Sequence, residues 1–103
     1  MLYFVSHKYQ GDSANIDHVK RILHDLQTEH TEHCFICPLL VFSHLEYGEI
    51  GFAAEMDLCL DILSACDGLI VASEISEGVQ QEIDFANLVG MEVVNLAEEF
   101  GQV

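Results

Sequence analysis

Four short runs rich in β-forming residues, at Leu2–Ser6, 33–37, 68–72 and 91–96, are separated by stretches whose apolar residues recur at helical spacing. This alternation constrains the fold most. A strand that leads through a helix to the next strand of the same sheet returns in parallel, by a right-handed crossover. The clearest unit spans residues 66–86, CDGLIVASEISEGVQQEIDFA. It reads as a buried strand at 68–72, a polar turn at 73–76 and a helix that opens on Glu77 and Gly78. Open α/β sheets place ligands at the carboxyl ends of their strands, so the polar turn marks a candidate site.

The other elements support that corner. Leu2–Ser6 carries almost no polar residue, as expected of a central strand covered on both faces. Asp12 or Ser13 can cap a helix over 14–28 that turns Ile16, Val19, Leu23 and Leu26 inward and His18, Lys20, His24 and Asp25 mostly toward water. The second strand, 33–37, stops at Pro38, which has no N–H for a ladder. Residues 39–50 are apolar but irregular, with Phe42, His44, Tyr47 and Gly48, and a loop this long beside a strand end is more often functional than idle. A helix over 52–65 buries Phe52, Met56, Leu60 and Leu63, with Glu55, Asp57 and Asp61 nearby. Glu77–Leu88 forms a third helix on Val79, Ile83 and Ala86, and Gly90 suits the position just past its end. Residues 97–103 read as an acidic tail or a last short turn. The expectation is one α/β domain over 1–103, a three-layer flavodoxin- or Rossmann-like fold with a parallel sheet of four strands and helices on both faces.

Charge narrows the partners. Eighteen acidic residues stand against two lysines and one arginine, a formal net charge of −15. Nucleic-acid backbones and anionic membranes are bound by Lys and Arg, so neither is an expected partner. An anionic ligand would have to be held by backbone N–H groups and a helix dipole. No apolar run approaches the ~20 residues of a membrane span, and the first residues lack the charged start and cleavage site of a signal peptide. A soluble cytoplasmic protein is expected. Cys34 and Cys37 form a CxxC, but residues three apart on a strand face opposite ways. His30 and His33 lie near, yet no second CxxC completes a zinc site. The four cysteines are therefore read as buried free thiols, with no metal and no cofactor.

Several segments, taken together and in order, resemble the nucleoside 2-deoxyribosyltransferase-like superfamily, in particular a branch of small phage and bacterial proteins. The resemblance begins at Phe4-Val5-Ser6-His7-Lys8-Tyr9-Gln10-Gly11-Asp12, where the family tends to have a strand followed by Ser-His-Pro-Tyr-Gly-Gly or Ser-Pro-Tyr-Arg-Gly-Asp. It continues through Met56, Cys59-Leu60-Asp61 and Cys66-Asp67-Gly68-Leu69-Ile70-Val71. The best match is Ser76-Glu77-Gly78 followed by Glu82 and Ala86, like the family's Ser-x-Gly-x-x-x-Glu-x-x-x-Ala. It covers nearly the whole chain. The resemblance implies a sheet of order 2-1-3-4, and because the chain has no fifth strand, an edge open to a second copy and hence a homo-oligomer.

It also implies cleavage of the N-glycosidic bond of a nucleoside or nucleotide, by transfer or hydrolysis, through a glutamate that attacks the anomeric carbon. A carboxylate suits an oxocarbenium-like transition state, which it stabilises and then traps. Glu77 matches the family's Glu-Gly pattern, with Glu74 as the alternative further upstream. Tyr9 would orient nucleophile or sugar; Ser6 and His7 would lie beside it, with Lys8 in place of the family's proline. Asp57 and Asp61 would bind ribose hydroxyls or base. Ser76 and Gly78 open a helix whose free N–H groups could take a 5′-phosphate. Plainer roles fit the same residues. An acid in a first helical turn is favoured by the macrodipole, Ser76 is an ordinary N-cap, Asp57 and Asp61 fit a solvated helix face, and Glu82 is read as structural. Two other readings stay open: a non-catalytic protein that binds or sequesters a nucleotide, and an acidic mimic of DNA.

Overall fold

The computed structural model of the protein describes residues 1–100 of the 103 in the chain. Strand β1 (Leu2–Ser6) lies in the middle of a four-stranded sheet. It pairs in parallel with β2 (Cys34–Ile36) on one side and with β3 (Gly68–Val71) on the other, and β4 (Glu92–Asn95) pairs with β3. The sheet is all parallel with order β2-β1-β3-β4, so the expected α/β architecture of the Rossmann or flavodoxin kind is observed.

The two central strands send alternate side chains into two separate cores. Phe4, Leu69 and Val71 pack on one face against Cys59 and Leu63 of helix α3 (Phe52–Ser64) and against Val79 and Ala86 of helix α4 (Glu77–Leu88). Val5, Ile70 and Ala72 face the other way, onto Val19, Ile22 and Leu26 of helix α1 (Ser13–Glu29). Burial of each large aliphatic side chain contributes about 1.5–3 kcal/mol, which is how the helical layers are held.

Local chemistry sets the helix boundaries. The Asp12 side chain accepts the Ala14 N–H at 2.9 Å to open α1, and Ser76 Oγ accepts the Val79 N–H at 3.3 Å to open α4. Pro38 does more than end β2: it occupies the first turn of a short helix, α2 (Pro38–Val41), where its missing N–H costs nothing. A last turn, α5 (Ala97–Phe100), follows β4; the rest of the expected tail, 101–103, lies outside the described residues.

Four expectations change. His18 is buried rather than wet, because His7 gives its ring a hydrogen-bond partner. Ile22 takes the inward position expected for Leu23, which is half-buried. Phe52 is 61% exposed, since as the first residue of α3 it stands over a cavity mouth and not over the core. Cys34 is exposed, whereas Cys37, Cys59 and Cys66 are buried free thiols. The opposite exposure of Cys34 and Cys37 follows from their spacing along an extended segment.

At the amino edge of the sheet Asp67 clamps β1 from both sides. Its Oδ2 accepts the Leu2 N–H and its own N–H donates to the Leu2 carbonyl, both at 2.7 Å. Beside it the Tyr3 ring lies over Gly68, where an added Cβ would stand 2.7 Å from the ring. Overpacking of this kind costs about 1–3 kcal/mol. Gly68→Ala should therefore lower stability by that amount in urea denaturation, and in a Tyr3→Ala background the same change should cost well under half as much.

Candidate functional site

The carboxyl ends of β1 and β3 open into a cavity of about 520 Å³. Its walls come from the loop after β1 (His7, Tyr9), from α2 and the segment after it (Leu39, Phe42, Tyr47), from the first turns of α3 (Phe52, Glu55, Met56, Cys59) and from α4 (Ser76, Glu77, Gly78, Glu82). The long segment that the sequence marked as functional thus forms one side of the cavity.

Glu82 is its most unusual group. The side chain is only 5% exposed, and its Oε1 accepts a hydrogen bond from Ser6 Oγ at 2.5 Å. Oε2 has no hydrogen-bond partner among the described residues. Since no fully buried side-chain oxygen among them lacks one, Oε2 keeps some exposure, and Glu82 is one of the residues that line the cavity. Burial makes the charged form costly and pushes the carboxyl up to about 7, with the Ser6 hydrogen bond opposing that shift. Strong perturbation in a cleft is a signature of functional carboxylates. Ser6, an expected site residue, therefore acts as the group that orients Glu82.

His7 is equally constrained. Its Nδ1 lies 2.6 Å from the Lys8 carbonyl, so that nitrogen donates, and its Nε2 lies 2.9 Å from Nδ1 of His18. With both nitrogens committed, His7 presents only ring carbon to the cavity. Burial lowers the proton affinity of both imidazoles, helped at His18 by Arg21. The pair joins the loop after β1 to α1.

The mouth is aromatic. The rings of Tyr9 and Tyr47 meet edge to face at 5.2 Å, and Tyr47 leans on Phe52 at 5.1 Å. Gly11, at φ +75°, passes beneath Tyr47 so closely that a Cβ would stand 3.1 Å from the ring. Tyr9 is held by its carbonyl, which accepts the Asp12 N–H at 3.1 Å and Asn15 Nδ2 at 2.8 Å.

Of the residues expected at the site, His7, Tyr9, Ser76, Glu77 and Gly78 line the cavity, and Ser6 supports it from behind. Glu77 is exposed in the first turn of α4. The alternative, Glu74, points elsewhere and pairs with Lys8 at 3.6 Å. Asp57 and Asp61 are exposed on α3 and do not line the cavity. The stripe of α3 that does so is 52, 55, 56 and 59, and residue 57 lies a further 100° round the helix from 56. Glu55 occupies the place expected for those aspartates. Glu82 was expected to be structural; the sequence did carry a signal for its place, because it falls between Val79 and Ala86 on the buried stripe of α4.

Comparison of the chain with models of protein families, with curated proteins and with solved structures finds no match. Among the described residues no helix is long and apolar enough to cross a membrane, and no three His, Cys, Asp or Glu side chains are grouped so as to hold a metal ion.

The raised Glu82 carboxyl makes stability depend on pH. Its unfolded value is near 4.5 and its folded value about 7, so the fold favours the protonated form. That contribution is complete below 4.5 and is lost as pH rises through 7, a total of about 3 kcal/mol at roughly 1.4 kcal/mol per pH unit. Glu82→Gln, which keeps an acceptor for Ser6, should remove this component. Urea unfolding at pH 5 and pH 8 should show wild type losing more stability than the variant over that interval.

Proposed function

We propose that the cavity takes a nucleoside or nucleotide and that the protein cleaves its N-glycosidic bond through a glutamate carboxylate, by hydrolysis or by transfer. The observation that carries this reading is Glu82, a desolvated carboxyl held by Ser6 in the wall of a cavity with an aromatic mouth. Departure of the base leaves positive charge on the anomeric carbon and ring oxygen. An anionic oxygen fixed beside that carbon stabilises the charge as it develops, and in a site poor in water the effect is strong. It can then form a glycosyl ester that water or a second base opens.

The resemblance gave the attack to Glu77. The geometry favours Glu82, because Glu77 is exposed and its carboxylate is solvated, whereas Glu82 has one direction and little water to displace. Glu77, Tyr9 and the Ser76–Gly78 turn are then placed to hold the sugar. Bases stack on aromatic rings for about 1–3 kcal/mol each, a role open to Tyr47 and Phe52. An attacking carboxylate must be ionised, so the rate should rise with pH through about 7.

The test is release of free base from a panel of ribo- and deoxyribonucleosides, with neutral and with cationic bases, and their monophosphates, followed by chromatography. Wild type should release base, Glu82→Gln should be at least about 100-fold slower, in line with loss of a group that acts in the transition state, and Glu77→Gln, which removes a sugar contact and not the nucleophile, should lose at least about tenfold less than Glu82→Gln. If no compound on the panel loses its base while one binds intact, the site is a binding site and the cleavage reading fails.

A further inference from the structure

We propose that the nucleoside this cavity accepts is cationic, an N-glycoside whose base carries a positive charge at the glycosidic nitrogen, as in a pyridinium riboside, and that its phosphorylated forms are excluded. This rests on reading the cavity as a nucleoside site and names the class of substrate.

The first support is charge. Four glutamates, Glu46, Glu55, Glu77 and Glu82, line the cavity, and no lysine or arginine does. The three cationic side chains of the chain are elsewhere: Lys8 pairs with Glu74, and Lys20 and Arg21 are exposed on α1. The Cys59 thiol at the cavity wall is pushed up to about 12, by burial first and then by Glu82 and Glu55. The second support is a single side chain. Glu82, 5% exposed, lines this space and has one carboxylate oxygen without a hydrogen-bond partner among the described residues, which a positive ligand charge would satisfy. A phosphate would bring more negative charge to the same place, and the amides at the start of α4 would have to outweigh it beside Glu77.

The third support is shape. Tyr9, Tyr47 and Phe52 form a row of rings at the mouth, and a flat cation is attracted to aromatic faces as well as stacking on them. The fourth is chemical. A neutral base needs a proton to leave, yet His7, the imidazole in the wall, has both nitrogens engaged. A pyridinium base needs none. The bond from the anomeric carbon to the ring nitrogen breaks with both electrons returning to nitrogen, so the base departs neutral, while a Glu82 oxygen forms the ester bond to carbon. Water then supplies its oxygen to that carbon, Glu82 leaves as carboxylate, and the water's proton passes to solvent.

Three compounds of closely similar shape separate the possibilities: nicotinamide riboside, which is cationic; its dihydro form, which is neutral; and nicotinamide mononucleotide, which adds a phosphate. Binding to the full chain and base release are measured at pH 8 in low and in 0.5 M salt, a concentration at which the Debye length falls to about 4 Å. We expect nicotinamide riboside to bind at least about tenfold more tightly than either of the others, the preference to shrink in high salt, and Glu55→Gln to weaken the cation several-fold more than it weakens the dihydro compound. Equal or tighter binding of the neutral or phosphorylated compound overturns the inference, as does failure of all three to bind at millimolar concentration. Cleavage of neutral nucleosides without preference for the cation leaves the glycosidase reading standing and overturns only this one. A cation that binds preferentially but is never cleaved supports the charge selectivity and overturns the cleavage.

Discussion

Strands β1 and β3 lie side by side in the middle of the sheet, and Phe4, Val5, Leu69 and Val71 on them are almost wholly sealed from water. Because successive side chains point to opposite faces, that sealing requires a helical layer on each. The crossover through α1 supplies one layer and those through α3 and α4 supply the other. Parallel strands all end at the same edge of the sheet, so every loop that follows a strand is delivered to one side of the molecule. The cavity is a product of that geometry.

The same constraint explains why a glutamate can be buried at all. Ser6 is the last residue of β1 and fully enclosed, and Glu82 sits on the stripe of α4 that covers it. The hydroxyl donates and the carboxyl accepts, so two groups that would each be unfavourable alone satisfy one another across the strand–helix junction. The satisfaction is incomplete on the carboxyl side. One oxygen is left without a partner among the described residues. Surplus of that kind is uncommon in a structural hydrogen bond.

The sequence showed much of this and missed a definable part. The strands, the long helices and the parallel sheet were legible because hydrophobic periodicity reports burial, and burial is what builds an α/β sandwich. The short helix α2 was hidden, since Pro38 signals both the end of a strand and the first turn of a helix. His18 was assigned to water because a polar residue at a helix position is exposed by default; only the ring of His7, eleven residues earlier, reverses that. The residues expected in the loop after β1 and at the opening of α4 do line the cavity, because strand ends and caps leave local marks. Asp57 and Asp61 were misplaced by two positions on α3, as helix phase in a segment with weak amphipathicity is poorly defined by sequence. The hydrogen bond that singles out Glu82 comes from Ser6, seventy-six residues away, and leaves no local mark in the sequence.

The row of rings at the cavity mouth has a consequence for access. Tyr9, Tyr47 and Phe52 belong to three separate segments, and what joins them there is ring against ring. Tyr47 and Phe52 are both at least half exposed, and side chains of that kind turn on a scale of picoseconds to nanoseconds. The aperture can therefore widen and narrow by rotation about side-chain bonds while the backbone hydrogen bonds of the loop and of α3 stay intact.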